Sequence, residues 1–499
     1  MSGSDPHPDS AYLASATAME IADDLGAGRT TSVEVVRTLL DRIAALDGPG
    51  ETHLRAVLAC APDALERASR LDGERVDGKT RGPLHGIPVL VKDNIEALGL
   101  PGSAGSLALA DRPVSRDAPL VARLRAAGLV VLGATNLSEW ANIRSPRSTT
   151  GWSALGGLTG NPWALDRSPG GSSSGSGAGI AGGLAPLAIG TETDGSITCP
   201  SSLNGCVGLK PTVGLLPTDG IVPISGSQDA PGPMTRSVRD AALLLDVLAD
   251  ATHYGAACAN VALGDVSLGI AEAWLTGHTA TDTLFRATLE LLREHGTTLT
   301  TSTVPTPETL GADELVVLLA ELKADLDAYL AGRPGEGPSS LADVVEFNRR
   351  YAADELVHFG QEHFEQALRS GGRSSTEYRK ARARNLDRAL RGCLEQALGG
   401  GGGPELLIAP AFAPAWKSDL VNGDTSIVGG LASAAPSIAG WPVLCIPMGL
   451  VDGLPVGLIL IGRARSEARL LAVGHAIESV LRLRETGALR PSWARPIRG

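Results

Sequence analysis

Short apolar runs punctuate the chain at residues 87–91, 129–132, 187–189, 266–270, 406–409, 443–446 and 456–461. They are uncharged on both faces of the strand alternation, so each predicts a strand in a sheet covered on both sides. Between them, residues 120–127, 240–248 and 283–295 show helical patterning. Thr31 and Glu34 form a capping-box signature ahead of Val36, Leu39, Leu40 and Ile43, which predicts an amphipathic helix. Strands alternating with helices predict an α/β fold. Residues 305–398 interrupt that alternation. They are charged, helix-favouring and almost free of strand patterning, and they run into glycines at 399–403. This segment predicts a mostly helical insertion or cap within one domain spanning residues 1–499.

Composition sharpens the picture. The hydrophobic fraction of 43% and the 62 glycines and 32 prolines describe a folded, turn-rich chain. With aromatics at only 3%, the core must rest on Ala, Leu, Val and Ile. A net charge of −12 repels phosphate backbones, which argues against nucleic acid as a partner. Cys60, Cys199, Cys206, Cys258, Cys393 and Cys445 are scattered without metal-ligand spacing, which suits reduced thiols in a cytoplasmic protein. The opening MSGSDPHPDS has neither the basic nor the apolar stretch of a secretory signal. Residues 425–451 are uncharged and long enough to span a bilayer. However, Pro436, Pro442, Pro447 and four glycines punctuate them, so they predict buried strands and turns, with no membrane span.

Three segments carry candidate chemistry. Lys92, one of only six lysines, ends the 87–91 run. Lysine is rarely buried without a partner, and at a strand end it is equally readable as a side chain reaching for solvent. A serine-rich segment runs from Ser168 to Gly177, containing Gly170-Gly171-Ser172-Ser173. Its match to a nucleophile elbow centred on Ser173 is accidental, because Pro169 and two glycines stand where a strand is required. Its match to a dinucleotide-binding loop lacks the same strand. The third segment, Gly190 to Ile197, follows the 187–189 run at once. A glycine-flanked turn there can aim successive N–H groups at one point, or serve merely as a tight turn.

Taken together, these residues resemble the amidase signature family. The resemblance rests on Gly170-Gly171-Ser172-Ser173, a serine at 196, Lys92-Asp93-Asn94 upstream and Gly205-Cys206-Val207-Gly208-Leu209-Lys210-Pro211-Thr212 downstream. It extends over roughly residues 20–480. It implies a large mixed β-sheet covered by helices on both sides, with Ser196 as nucleophile, Ser172 as a bridging serine in a cis peptide arrangement and Lys92 as base. It also implies an oxyanion site made by the N–H groups of Thr193, Asp194, Gly195 and Ser196. Glu192 and Asp194 depart from the family's usual Asp and Gly. With residues 135–142 and 223–232, they resemble the bacterial peptide amidases, which remove the C-terminal amide of peptides.

The chemistry is self-consistent. A serine hydroxyl needs a base to become a nucleophile, and His85 sits at a strand start as a structural residue. An ordinary lysine is neutral in about one molecule in 2,500 at pH 7, and burial can lower its pKa by about 3–5 units. The expected reaction converts a carboxamide to acid and ammonia through an acyl-enzyme on Ser196, without metal or cofactor. The expected partner is a small-molecule or peptide amide, and the expected assembly a monomer or homodimer. The main rival is the glutaminase component of a tRNA-dependent amidotransferase complex. An esterase built on Ser173 would need a downstream Asp–His pair that the sequence does not supply.

Overall fold

A computed structural model describes residues 10–48, 54–259, 261–305, 311–399, 402–424 and 427–493. Both ends of the expected domain, residues 306–310 of the expected insertion, Gly400 and Gly401 of its closing run, and residues 425–426 lie outside the described residues.

Eleven strands form one sheet: β1 (Val57–Cys60), β2 (Pro88–Lys92), β3 (Val130–Thr135), β6 (Leu187–Glu192), β7 (Val207–Lys210), β8 (Ala230–Thr235), β9 (Ser267–Ala271), β10 (Thr298–Ser302), β11 (Leu406–Pro410), β12 (Val443–Val451) and β13 (Leu454–Ile461). The short pair β4 (Trp152–Ser153) and β5 (Gly157–Leu158) stands apart. The order across the sheet is β1-β3-β2-β6-β8-β7-β12-β13-β11-β9-β10. β2 runs parallel to β3 and β6, and β9 parallel to β10 and β11, while the other neighbours are antiparallel. Every residue of β2, β3, β6, β11 and β13 is buried, so both faces of the sheet are covered.

All seven apolar runs fall in strands of this sheet, and the capping box of Thr31 and Glu34 is present at the helix Ser32–Leu46. The three predicted helices occur as Pro119–Ala126, Val238–Ala249 and Thr279–Glu294. Four strands escaped the pattern. β1 and β10 are part-exposed edges, with polar Thr298, Thr300 and Thr301 on β10. β8 carries Pro231 and Pro233, which normally argue against an interior strand. β7 is only four residues long.

Between β10 and β11 the described chain is helical, beginning with Gly311–Gly332 and including Leu341–Arg350, Glu362–Arg369 and Thr376–Leu386. Leu319, Leu322, Leu326 and Leu330 of the long helix pack with Ala104, Ala108, Trp140 and Val222 beneath it. Polar groups join the same two parts. Fully buried Arg144 contacts Glu139 and lies 3.2 Å from Glu355, whose other oxygen accepts from Ser106 Oγ and Leu107 N at 2.8 and 2.7 Å. The aromatic residues of this region mostly serve that packing. Phe364 is fully buried edge-on to Trp140, and Phe359 packs against Trp152 with the Arg144 guanidinium 4.3 Å from its ring centre. Tyr351, stacked on Phe347, is the exposed member of the four. Among the described residues, no helix is long and apolar enough to cross a membrane.

Candidate active site

β2 and β6 lie side by side and parallel, and the site forms where both strands end. Lys92 is the last residue of β2 and is fully buried. Its Nζ lies 2.7 Å from Ser172 Oγ, 3.0 Å from Ser173 Oγ, 2.9 Å from Thr191 Oγ1 and 3.2 Å from the Thr191 carbonyl. An ammonium has three hydrogens for these four oxygens, whereas a neutral amine can accept from a hydroxyl. Burial pulls the Lys92 pKa down to about 7, against the opposing pull of Glu192 and Asp229. The neutral form is therefore well populated near neutral pH.

Neighbouring polar groups hold this strand end. Asn94 donates to Thr191 Oγ1 at 3.0 Å. Asp93 is buried and accepts from Gly102 N at 2.9 Å and Ser103 N at 3.0 Å, with its pKa pushed up to about 6 by burial. His85 is buried far from this chemistry, with Nε2 2.9 Å from the Leu71 carbonyl and Nδ1 accepting from Arg81 N. It is structural.

The serine-rich segment reaches Lys92 because it packs closely on the chain beyond β6. A side chain at Gly170 (φ +69°) would meet Pro200 backbone atoms at 2.8 and 2.9 Å, so only glycine permits the approach. The Gly171–Ser172 peptide bond is cis. Ser173 is engaged with backbone: its Oγ donates to the Thr191 carbonyl at 3.1 Å and accepts from Thr191 N at 3.2 Å. The Ser173 N–H donates to the Ser196 carbonyl at 3.1 Å, tying the two serine-bearing segments together.

Ser196 follows β6 on a turn made possible by Gly195, whose φ of +78° few other residues adopt readily. Glu192 fixes the far end of this turn: its Oε2 accepts from Ile197 N at 2.7 Å and Thr198 N at 2.9 Å, at the start of the helix Thr198–Asn204. Among the described residues, none accepts a hydrogen bond from the N–H groups of Thr193, Asp194, Gly195 or Ser196. Such groups are seldom left unpaired when shielded from water, so this turn is a ready anion-binding cradle. Asp194 is one residue of this turn, and its pKa is raised to about 6, chiefly by burial, against hydrogen bonds from Ser433 and Ser437.

The structure thus brings Lys92, Ser172 and the 193–196 turn together. Ser196 is 8% exposed, and its hydroxyl makes no hydrogen bond to a described residue. Sequence reading passed over several neighbours. Thr191, inside the Gly190–Ile197 segment, touches Lys92 and Asn94, and no local pattern marks it. Gln228 and Asp229 lay in the 223–232 segment without a role, yet Gln228 Nε2 is 3.3 Å from the Thr193 carbonyl and Asp229 Oδ1 accepts from Thr193 Oγ1 at 2.6 Å. Glu314, from the helix Gly311–Gly332, accepts from Gln228 at 2.8 Å. Its pKa is raised to about 8 by burial and by Asp194. No local pattern marked Glu314, because more than a hundred residues separate it from Ser196 in the chain.

The chain is similar in sequence and in structure to known proteins. A family model described as Amidase matches residues 34–471. The solved structure of native peptide amidase from Stenotrophomonas maltophilia is 41% identical, covers 97% of this chain and 99% of its own, and superposes with a TM-score of 0.89. A peptide amidase in complex with the competitive inhibitor chymostatin is also 41% identical, covering 96% and 99% of the two chains with a TM-score of 0.90. A glutamyl-tRNA(Gln) amidotransferase subunit from Symbiobacterium thermophilum is 33% identical over 490 residues, 92% of this chain and 95% of that protein.

Proposed function

The chain belongs to the amidase family, and from that premise we propose that it hydrolyses the C-terminal carboxamide of peptides to acid and ammonia through an acyl-enzyme on Ser196. One observation carries the chemistry. A fully buried lysine with a pKa near 7 touches Ser172 beside a turn whose four N–H groups have no acceptor among the described residues.

In this reading, neutral Lys92 takes the Ser172 proton while Ser172 takes the proton of Ser196. The Ser196 oxygen then adds to the amide carbon, and the carbonyl oxygen, now an anion, receives the N–H groups of residues 193–196. Such donors are worth about 3–4 kcal/mol each when removed singly. The proton returns through Ser172 to the departing nitrogen, ammonia leaves, and water cleaves the ester by the same route. The relay needs a contact between the Ser196 and Ser172 hydroxyls. In the resting arrangement Ser196 makes no side-chain hydrogen bond to a described residue, so that contact forms as substrate enters, as catalytic hydrogen bonds commonly do.

The peptide-amide assignment is supported by the near full-length likeness to peptide amidase and by Glu192 and Asp194 in the nucleophile turn. The likeness to the amidotransferase protein supports a second reading, a glutaminase working within a complex. Ammonia release from amidated peptides, glutamine and small aliphatic or aryl amides separates the two. The expected outcome is the highest kcat/KM on amidated peptides by the chain alone. Glutamine as the best substrate, together with copurifying partner chains, would instead establish the second reading.

A further inference from the structure

The helix Gly311–Gly332 reaches the nucleophile turn through one intermediary segment, residues 224–229. That segment is pinned to the helix at several points. Ser225 Oγ and Ser227 N donate to Glu321 Oε2 at 2.6 and 3.1 Å, and Gly226 N donates to Asp325 Oδ2 at 2.9 Å. It closes on itself as Ile224 N and Ser225 N donate to Asp229 Oδ2 at 2.8 and 2.9 Å. Gln228, fully buried at its end, then uses its one amide nitrogen twice: toward Glu314 Oε1 at 2.8 Å and toward the Thr193 carbonyl at 3.3 Å. A side-chain amide has two N–H donors, so both are consumed. Turning the amide over would set its oxygen against the Thr193 carbonyl oxygen, which fixes its orientation.

The Thr193 carbonyl is half of the Thr193–Asp194 peptide unit. That unit is planar, and its N–H points opposite to its C=O. Holding the Thr193 oxygen therefore sets the direction of the Asp194 N–H, one of the donors assigned to the oxyanion. We propose that Gln228, oriented by Glu314, is a positioning residue that aims the Asp194 N–H at the reacting carbonyl oxygen. This rests on the amidase reading above, and it links the helical segment to the chemical step as well as to packing.

The test uses Gln228→Leu, which keeps side-chain bulk and removes both donors, with Glu314→Ala and Glu314→Gln. Glu314→Gln retains a carbonyl acceptor. For a minimal primary amide, Gln228→Leu and Glu314→Ala should lower kcat about ten- to a hundredfold, less than or near the loss of a whole oxyanion donor. KM and melting temperature should stay near wild type, and Glu314→Gln should restore most of kcat. Hydrogen–deuterium exchange should quicken in residues 190–197 of Gln228→Leu. Unchanged exchange there overturns the proposal. So does an unchanged kcat, or a loss shared equally by Glu314→Gln with a fall in melting temperature. If the wild-type chain releases ammonia from no amide, the function fails, and the exchange measurement alone decides the linkage.

Discussion

Ser172, Ser173 and Ser196 differ in what their hydroxyls already do. The Ser173 oxygen is occupied by both backbone groups of Thr191 as well as by Lys92, whereas the Ser196 hydroxyl and the N–H groups beside it have no hydrogen-bond partner among the described residues. Ser196→Ala is therefore expected to lose at least about a thousandfold in kcat with an unchanged melting temperature. Ser173→Ala should retain measurable turnover while losing about 1–3 kcal/mol of stability from the unpaired Thr191 N–H. Steady-state kinetics with thermal unfolding checks both, and an inactive, fully stable Ser173→Ala would reverse the assignment. Lys92 supplies the second residue-scale expectation. Its pKa is lowered to about 7, and the neutral form is the active one, so kcat should rise from about pH 5.5, reach half its limit near pH 7 and level off above about pH 8. Lys92→Arg and Lys92→Met should both be inactive, since Arg stays charged and Met accepts no proton. A pH-independent chemical step from pH 5 to 9 would point to another base.

At the scale of elements, the helical region between β10 and β11 is attached more firmly than a detachable cap would be. Its aromatic residues serve that attachment: Phe364 is buried edge-on to Trp140, and Phe359 is buried against Trp152. Phe364→Ala should cost about 3–5 kcal/mol of stability. The folded fraction should keep the same ratio of activity on large and minimal amides. Denaturant unfolding alongside the two assays tests this; a changed substrate ratio at unchanged stability would show that Phe364 faces substrate. Glu192 works on a shorter element. One carboxylate oxygen gathers Ile197 N and Thr198 N, so Glu192 secures the helix start immediately after Ser196. That gives a structural use to one of the two positions at which this turn departs from the family's commonest residues.

Over the whole molecule, buried carboxyls set the pH response of stability. Asp47, Asp93, Asp194, Asp229 and Asp240 each have their pKa raised to about 6, in every case first by burial. A carboxyl raised above its unfolded value binds its proton more tightly in the folded state. Its contribution is full below about pH 4 and is lost as pH rises through 6. His358 and His363 are shifted down by burial and act in the opposite sense, but they are fewer. Lys92, protonated throughout this range in the unfolded state, adds an opposing slope only as its folded form deprotonates near pH 7. The melting temperature should therefore fall between pH 5 and pH 7, while kcat rises over the same interval. Calorimetry across that range decides it; a melting temperature that climbs toward pH 7 would mean that the aspartates ionise more easily than their burial implies.

Much of this was legible in the chain itself. Uncharged apolar runs marked seven of the eleven sheet strands because a strand covered on both faces admits no charge. Lys92, Ser172 and the Thr193–Ser196 turn were legible through the resemblance to the amidase signature family, since each segment read by itself also suits ordinary structure. What the pattern missed has a common cause. β8 is an interior strand despite two prolines, because its pairing with β6 and β7 outweighs local propensity. The Lys92 amine meets Ser172, eighty residues on in sequence, only because parallel β2 and β6 end together and a glycine lets the serine segment approach. The Glu314–Gln228–Thr193 link joins residues 86 and 35 positions apart and leaves no periodic trace. Local sequence determines which residues are able to do chemistry. Tertiary packing decides which of them touch, which lose their water, and so which titrate near neutrality.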